Sequence, residues 1–254
     1  MIDTHTHFYD SRFNGDRDEV LKKAIENNVT KLVVPGTDMK SHEKAMALCK
    51  AYPNVCYPAI GLHPTSVKED YETELDFIEQ QLTKNSFVAI GEIGIDCHWS
   101  LDYIVQQRDA FIRQLKLAEK YNLPIIIHAR EAFDEIFPIL DKIYNPKIKG
   151  VFHSFAGTTA HYRKIKKYGT FKIGIGGVVT FKNSDLSTVV DMISIDDIVL
   201  ETDSPYLAPH PHRGQRNDSS YIPIIARKIA EIKGISLNEV DKITTENAES
   251  LFSI

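Results

Sequence analysis

Histidines and carboxylates recur in this sequence where apolar segments end. His5 and His7 are two residues apart near the start of the chain. On an extended strand this spacing puts both imidazole rings on the same face. A His-x-His pair alone is a weak signal, because many histidines are satisfied by local hydrogen bonds. The pair becomes informative only if further groups of the same kind are brought to it.

Four further candidates follow along the chain. Each lies inside or directly after an apolar, β-branched segment; they are Glu92, His128, His153 and Asp203. Charged side chains are rarely buried without a partner. Without a common role, each of the six groups would need its own structural explanation. We therefore expect four histidines and two carboxylates to share one site.

The segments that carry these residues belong to an alternating pattern of strands and helices. Strands are predicted at 2–6, 31–36, 55–62, 88–95, 124–128, 150–155, 170–177 and 198–202. Amphipathic stretches lie between them. The clearest is 102–121, where Ile104, Phe111, Leu115 and Ala118 recur at helical spacing. Two more helices are predicted at 221–233 and 237–252.

Strands that alternate with helices form parallel sheets, and eight such units close into a barrel. The predicted fold class is α/β, a TIM-like (β/α)8 barrel with an additional C-terminal helix at 237–252. Catalytic residues of such barrels lie at the C-terminal ends of the strands, where the six candidates fall. An open doubly wound sheet is the main alternative, but no Gly-rich dinucleotide loop follows the first strand.

Composition restricts the classes of protein that remain. The 254 residues are 43% hydrophobic and 26% charged, as in ordinary globular proteins. No linker divides them, so we expect a single domain over 1–254. The net charge of −5 argues against broad electrostatic capture of nucleic acid, and contact with phosphate would be local.

The sequence also predicts the location of the protein and its partners. No apolar run approaches the ~20 residues of a membrane span, so no membrane partner is predicted. The three cysteines have no paired spacing and the N-terminus resembles no leader. These features predict a cytoplasmic protein. No obligatory protein partner is indicated.

Seven short segments, in this order, give the chain a resemblance to the TatD family. They are Asp-Thr-His-Thr-His (3–7), Gly-Leu-His-Pro (61–64), Gly-Glu-Ile-Gly-Ile-Asp (91–96), Leu-Pro-Ile-Ile-Ile-His-Ala-Arg (123–130), His-Ser-Phe-Ala-Gly (153–157), Leu-Glu-Thr-Asp-Ser-Pro-Tyr (200–206) and Arg-Gly-Gln-Arg-Asn (213–217). Together they are a specific signal. The loop Cys97-His98-Trp99 departs from the family's commoner aromatic pattern.

The resemblance implies a barrel of the amidohydrolase kind and a metal-dependent deoxyribonuclease or related hydrolase. It also implies two divalent cations. By match of position, one would be held by His5, His7, Glu92 and Asp203. The second would be held by Glu92, His128 and His153, with Glu92 as the bridge. The substrate implied is nucleic acid, DNA before RNA.

Formal charges agree with an anionic substrate. Two divalent cations, two carboxylates and one hydroxide leave the site about one unit positive. A metal-activated hydroxide would attack the phosphodiester, with Asp203 as general base. Imidazole-rich ligation favours Zn, Mn, Fe or Co, whereas the family is usually described as Mg-dependent. The candidate cations are therefore Mg, Mn or Zn.

Two further residues are candidates for substrate binding. His63 ends the third strand and could touch a phosphate, or it could cap the loop that begins at Pro64. Arg130 follows His128 by two residues, and its guanidinium suits a phosphate. A rim ion pair is the alternative for Arg130. Asp3 and Glu201 share strand parity with predicted ligands and are candidates to orient them.

Two other functions are compatible with these residues. A C–N or ester hydrolase, such as an aminoacyl-tRNA deacylase, could use the same two metals, because the same hydroxide can attack a carbonyl carbon. A metal-binding protein without catalysis is the second alternative. All six candidate groups are present in the sequence, which argues against a lost activity.

Overall fold

Eight parallel strands pair in sequence order in the computed structural model, which describes residues 1–254. The strands are β1 (Ile2–Asp3), β2 (Lys31–Pro35), β3 (Cys56–Ile60), β4 (Ala89–Asp96), β5 (Ile125–Arg130), β6 (Gly150–Phe152), β7 (Phe171–Ile175) and β8 (Ile198–Leu200). The first and last strands meet through contacts beyond their ends. Thr4 N donates to Leu200 O at 2.9 Å, and Thr6 forms a parallel bridge with Ser204. These contacts join the two edges of the sheet.

Helices connect successive strands and cover the outside of the sheet. They are α1 (Arg17–Glu26), α2 (Met39–Ala51), α3 (Tyr71–Lys84), α4 (Ile104–Tyr121), α5 (Phe133–Ile143), α6 (Thr159–Tyr168), α7 (Leu186–Met192), α8 (Ile222–Lys233) and α9 (Leu237–Phe252). The predicted TIM-like (β/α)8 fold with an added C-terminal helix is confirmed. No helix combines the length and apolar character that crossing a bilayer requires.

The apolar core has two parts because successive strand residues face opposite sides. The larger cluster joins one face of the strands to the helices. The smaller cluster collects one residue from each of seven strands, among them Val33, Ile126 and Val199. Leu251 and Phe252 of α9 pack against this second cluster. Asn247 Nδ2 also donates to the carbonyl of Ile198, the first residue of β8. Helix α9 therefore closes the N-terminal end of the barrel.

Six strands are shorter than predicted, and the shortening of three of them affects the site. β1, β6 and β8 end at Asp3, Phe152 and Leu200. Beyond two of them the chain turns, because Ser154 (φ 44°) and Asp203 (φ 57°) adopt left-handed backbone conformations. Several candidate side chains therefore lie on the segments that follow the strands, at the C-terminal end of the barrel.

Candidate active site

Glu92 lies at the centre of the predicted cluster. Its side chain is buried in β4, and its two oxygens face different sets of histidines. Oε2 lies 3.2 Å from His5 Nε2. Oε1 lies 2.9 Å from His128 Nδ1 and 3.8 Å from His153 Nε2. One carboxylate thus contacts residues from three other strand ends.

His5, His7 and Asp203 form one side of the cluster. Nε2 of His5 lies 3.3 Å from Nε2 of His7, which lies 3.5 Å from Oδ1 of Asp203. The backbone supports this arrangement, since Asp203 N donates to His5 O at 2.9 Å. The segments after β1 and β8 therefore bring the three donors together. His5 Nδ1 is buried and has no hydrogen-bond partner.

His128 and His63 form the other side. Nε2 of His63 lies 3.3 Å from Nδ1 of His128 and 3.4 Å from Oε1 of Glu92. Thr65 holds the opposite nitrogen of His63, through its backbone N at 3.1 Å and its hydroxyl at 2.7 Å. His63 was predicted as a substrate contact, and its position also makes it a candidate ligand.

Two buried carboxylates face the outer nitrogens of the histidines. Oδ2 of Asp96 lies 2.8 Å from His128 Nε2, and Oε1 of Glu201 lies 3.0 Å from His153 Nδ1. A carboxylate on the outer nitrogen fixes the orientation of a histidine ligand. Strand parity pointed to Glu201. Asp96 was missed, although it ends the quoted segment Gly-Glu-Ile-Gly-Ile-Asp. Asp3 reaches no histidine ring and accepts from the backbone N of His5 at 3.2 Å.

The donor set fits divalent cations. Three groups each gather donor atoms within 4.8 Å of one another: His5, Glu92 and His153; His5, His7 and Asp203; His63, Glu92 and His128. Two ligands bonded to one cation at ~2.1 Å lie at most ~4.2 Å apart. Most of the distances given above fall inside this limit. The lone pairs of neutral imidazoles and of two carboxylates are suited to such ions.

Three candidate ligands have pKa values that favour the deprotonated form. Burial lowers the pKa of His5 to about 4, and the charge of His153 adds to the effect. Burial alone would raise the pKa of Glu92, but the neighbouring His63, His5 and His153 hold it well below its usual range. Asp203 behaves similarly: a hydrogen bond from His7 and nearby histidine charges outweigh burial and lower its pKa.

Two candidate ligands, His128 and His153, behave in the opposite way. Burial lowers the pKa of His128, but its hydrogen bonds with Asp96 and Glu92 outweigh burial and raise it. The change at His153 is large. Burial lowers its pKa, but Glu201 and Glu92 outweigh that effect and raise the pKa to about 10. His153 therefore holds a proton in the metal-free protein. A cation that binds there must displace this proton, so metal affinity should fall as the pH falls.

The cluster lies at the base of a cavity of ≈ 890 Å³. Glu92, His128, His153 and Asp203 line it, together with the more exposed Arg130, Trp99 and Tyr206. The Arg130 guanidinium carbon lies 5.2 Å from the centre of the Trp99 indole. Seven of the eight residues predicted for the site thus line one cavity, and the eighth, His5, is buried against Glu92.

Comparison with known proteins identifies the family of this chain. The family described as TatD related DNase matches residues 2–253. A Bacillus subtilis protein named uncharacterized metal-dependent hydrolase YabD is 38% identical over 255 residues, covering 100% of this chain and 99% of its own. The 3′-5′ ssDNA/RNA exonuclease TatD of Erwinia tasmaniensis is 31% identical over 261 residues, with 100% of both chains covered.

A solved structure extends the similarity to three dimensions. The Escherichia coli TatD homologue YJJV superposes with a TM-score of 0.94 at 30% identity, covering 100% of this chain and 98% of its own. The match in sequence and in fold therefore spans the whole barrel, including every strand end that carries a candidate residue. This chain belongs to the TatD family and is a metal-dependent hydrolase.

Proposed function

We propose that this protein is a two-metal phosphodiesterase that acts on nucleic acid, with DNA as the main substrate. The observation that carries the proposal is the position of Glu92, whose Oε2 faces His5 and whose Oε1 faces His128. A carboxylate shared by two sets of donors suits a bridging ligand. The name of the Erwinia tasmaniensis relative, a 3′-5′ ssDNA/RNA exonuclease, supports nucleic acid as the substrate.

Each cation has its own set of ligands in this proposal. His5, His7, Glu92 and Asp203 would hold one of them, and Glu92, His128 and His153 would hold the other. The short distances from Glu92 Oε1 to His128 Nδ1 (2.9 Å) and to His153 Nε2 (3.8 Å) support the second set. Glu201 and Asp96 would keep the two imidazole rings in place through their outer nitrogens.

When bound, the cations would lower the pKa of a water molecule and neutralise charge on the phosphoryl oxygens. Asp203 is the general base of the reaction. Its side chain is partly exposed to the cavity, whereas Glu92 is buried. Its lowered pKa keeps the carboxylate ionised at neutral pH, so that it can accept a proton from the attacking water.

His63 and Arg130 contact the substrate in this proposal. The His63 side chain is 13% exposed, against 2% for His153, and it lines the cavity. That exposure favours a contact with phosphate for His63 and a ligand role for His153. Arg130 lines the same cavity, is exposed, and carries a positive charge suited to a second phosphate.

Reconstitution tests the proposal. Metal-free protein is loaded singly with Mg²⁺, Mn²⁺, Zn²⁺ or Co²⁺ and assayed on single-stranded DNA, duplex DNA, RNA and a charged tRNA. Hydrolysis of phosphodiester bonds by at least one metal form is the expected result. Release of the amino acid from tRNA without strand cleavage would instead support an ester hydrolase on the same residues. No turnover of any substrate would overturn the proposal.

A further inference from the structure

The loop after β4 carries the only tryptophan of the chain to the edge of the cavity. The Trp99 side chain is 70% exposed. Large aromatic rings are usually buried on folding, since their apolar area is costly to leave in water. An exposed indole beside a candidate active site is therefore a surface on which a flat ligand can stack.

This loop is hydrogen-bonded to Asp96, which contacts the candidate ligand His128. Oδ1 of Asp96 accepts hydrogen bonds from His98 N at 3.0 Å and Trp99 N at 3.2 Å. The other oxygen of the same carboxylate lies 2.8 Å from Nε2 of His128. A second contact joins His98 Nδ1 to Glu131 Oε1 at 2.7 Å. Asp96 therefore links the backbone of Trp99 to the candidate ligand His128.

Arg130 gives this edge of the cavity a positive charge that is not paired in a salt bridge. Its guanidinium lies over the Trp99 ring and forms no salt bridge. Arg12 also lies over an aromatic ring, with its guanidinium carbon 4.5 Å from the centre of the Tyr206 ring, but this arginine does form a salt bridge. Arg12 Nε is bound to Asp10 Oδ1 at 2.9 Å, so its charge is compensated. The side of the cavity formed by Trp99 and Arg130 is therefore the one better suited to an anionic chain.

We propose that Trp99 and Arg130 form a subsite in which an unpaired nucleobase stacks on the indole and the guanidinium contacts the adjoining phosphate. This proposal rests on the proposed function and adds a base-stacking subsite to it. Stacking on aromatic rings combined with cation contacts is how proteins bind single strands without reading sequence. Bases within a duplex are already stacked on one another, so the subsite favours a frayed end or a single strand.

The single tryptophan makes the stacking observable without turnover. Asp203→Asn protein loaded with Mg²⁺ is titrated with a short thymidine oligonucleotide while Trp99 fluorescence is recorded. A strand of the same length with abasic sugars in place of the nucleosides is the matched probe, since it keeps the phosphates and lacks the bases. We expect the thymidine strand to quench the fluorescence and the abasic strand to leave it nearly unchanged.

Steady-state kinetics of variants that retain Asp203 provide the second measurement. Trp99→Ala should raise KM for the thymidine strand about tenfold, with a smaller change in kcat and little change for the abasic strand. Trp99→Phe should recover most of the affinity because it keeps an aromatic face. Leu101→Ala is the control: Leu101 is 59% exposed in the same loop and does not line the cavity.

Three results would overturn the subsite. One is unchanged fluorescence with a thymidine strand that the protein demonstrably binds. Another is normal KM in Trp99→Ala. The third is an equal loss on both strands, which would mean that the substitution acts through Asp96 and not through a base. Absence of hydrolysis in the wild-type enzyme would overturn the proposed function alone, because the fluorescence titration tests stacking without turnover.

Discussion

Asp96 and His128 are paired across neighbouring strands, with Oδ2 of Asp96 2.8 Å from Nε2 of His128. The other ring nitrogen of His128 faces Glu92 at 2.9 Å. His128 is therefore held between two carboxylates, with Nδ1 turned toward the cluster. Asp96 is itself fixed, because its backbone N donates to Gln107 Oε1 at 2.9 Å and its side chain is buried.

Asp96→Ala should weaken metal binding without removing a ligand. Loss of the partner on the outer nitrogen lets the imidazole rotate and lowers its basicity, which typically reduces metal affinity ~10–100-fold. The measurement is calorimetric titration of metal-free protein with Zn²⁺ or Mn²⁺. The control is Asp197→Ala, which removes a buried carboxylate next to the N-terminal end of β8. Equal affinities in wild type and Asp96→Ala would contradict the positioning role.

Glu92→Ala should remove both cations. Each would lose a ligand, and the site would lose the charge located between the histidines. Metal content is measured by elemental analysis after reconstitution. Glu135→Ala, which breaks a surface contact with Arg108, should keep full occupancy. Full occupancy in Glu92→Ala would refute Glu92 as the bridge.

Asp203→Asn should lower kcat by ~10²–10⁴-fold if Asp203 is the general base. The amide keeps the shape and one oxygen acceptor but cannot take up a proton. The loss should appear in kcat more than in KM, because it affects chemistry more than binding. Steady-state kinetics on a single-stranded oligonucleotide are combined with metal analysis of the same sample. A near-normal kcat at normal metal content would show that another group accepts the proton.

His42 should make folding stability depend on pH. It is buried, and its Nε2 lies 2.9 Å from Gly61 O. Burial lowers its pKa from 6.5 to about 4. Between these values the unfolded chain binds a proton that the folded protein does not, so stability falls as the pH falls through this window. One pKa unit corresponds to ~1.4 kcal/mol. His42 should therefore lower the free energy of unfolding by about 2 kcal/mol between pH 8 and pH 5.

Urea unfolding of metal-free wild type and His42→Gln at both pH values isolates this contribution. Glutamine offers a donor and an acceptor but does not titrate. The variant should be less stable than wild type at pH 8, and the difference should shrink by about 2 kcal/mol at pH 5. A constant difference between the two proteins would contradict the assignment.

Local sequence patterns determined the elements of this fold. The helix predicted at 237–252 coincides with α9 (Leu237–Phe252), and those predicted at 102–121 and 221–233 coincide with α4 and α8 apart from their first residues. Periodicity is a property of neighbouring residues, so it is visible without the fold. The candidate groups at strand ends were visible for the same reason, and parallel strands then require those ends to meet at one face.

Only the tertiary structure decided how those groups contact one another. Oδ2 of Asp96 meets Nε2 of His128, and Nε2 of His63 lies 3.4 Å from Glu92 Oε1. These contacts depend on strand register and on rotamers chosen by packing, and neither has a local signature in the sequence. The exposure of Trp99 beside Arg130 is of the same kind. A tryptophan in a loop can equally be buried, and the path of the chain after β4, held by Asp96, turned this one outward.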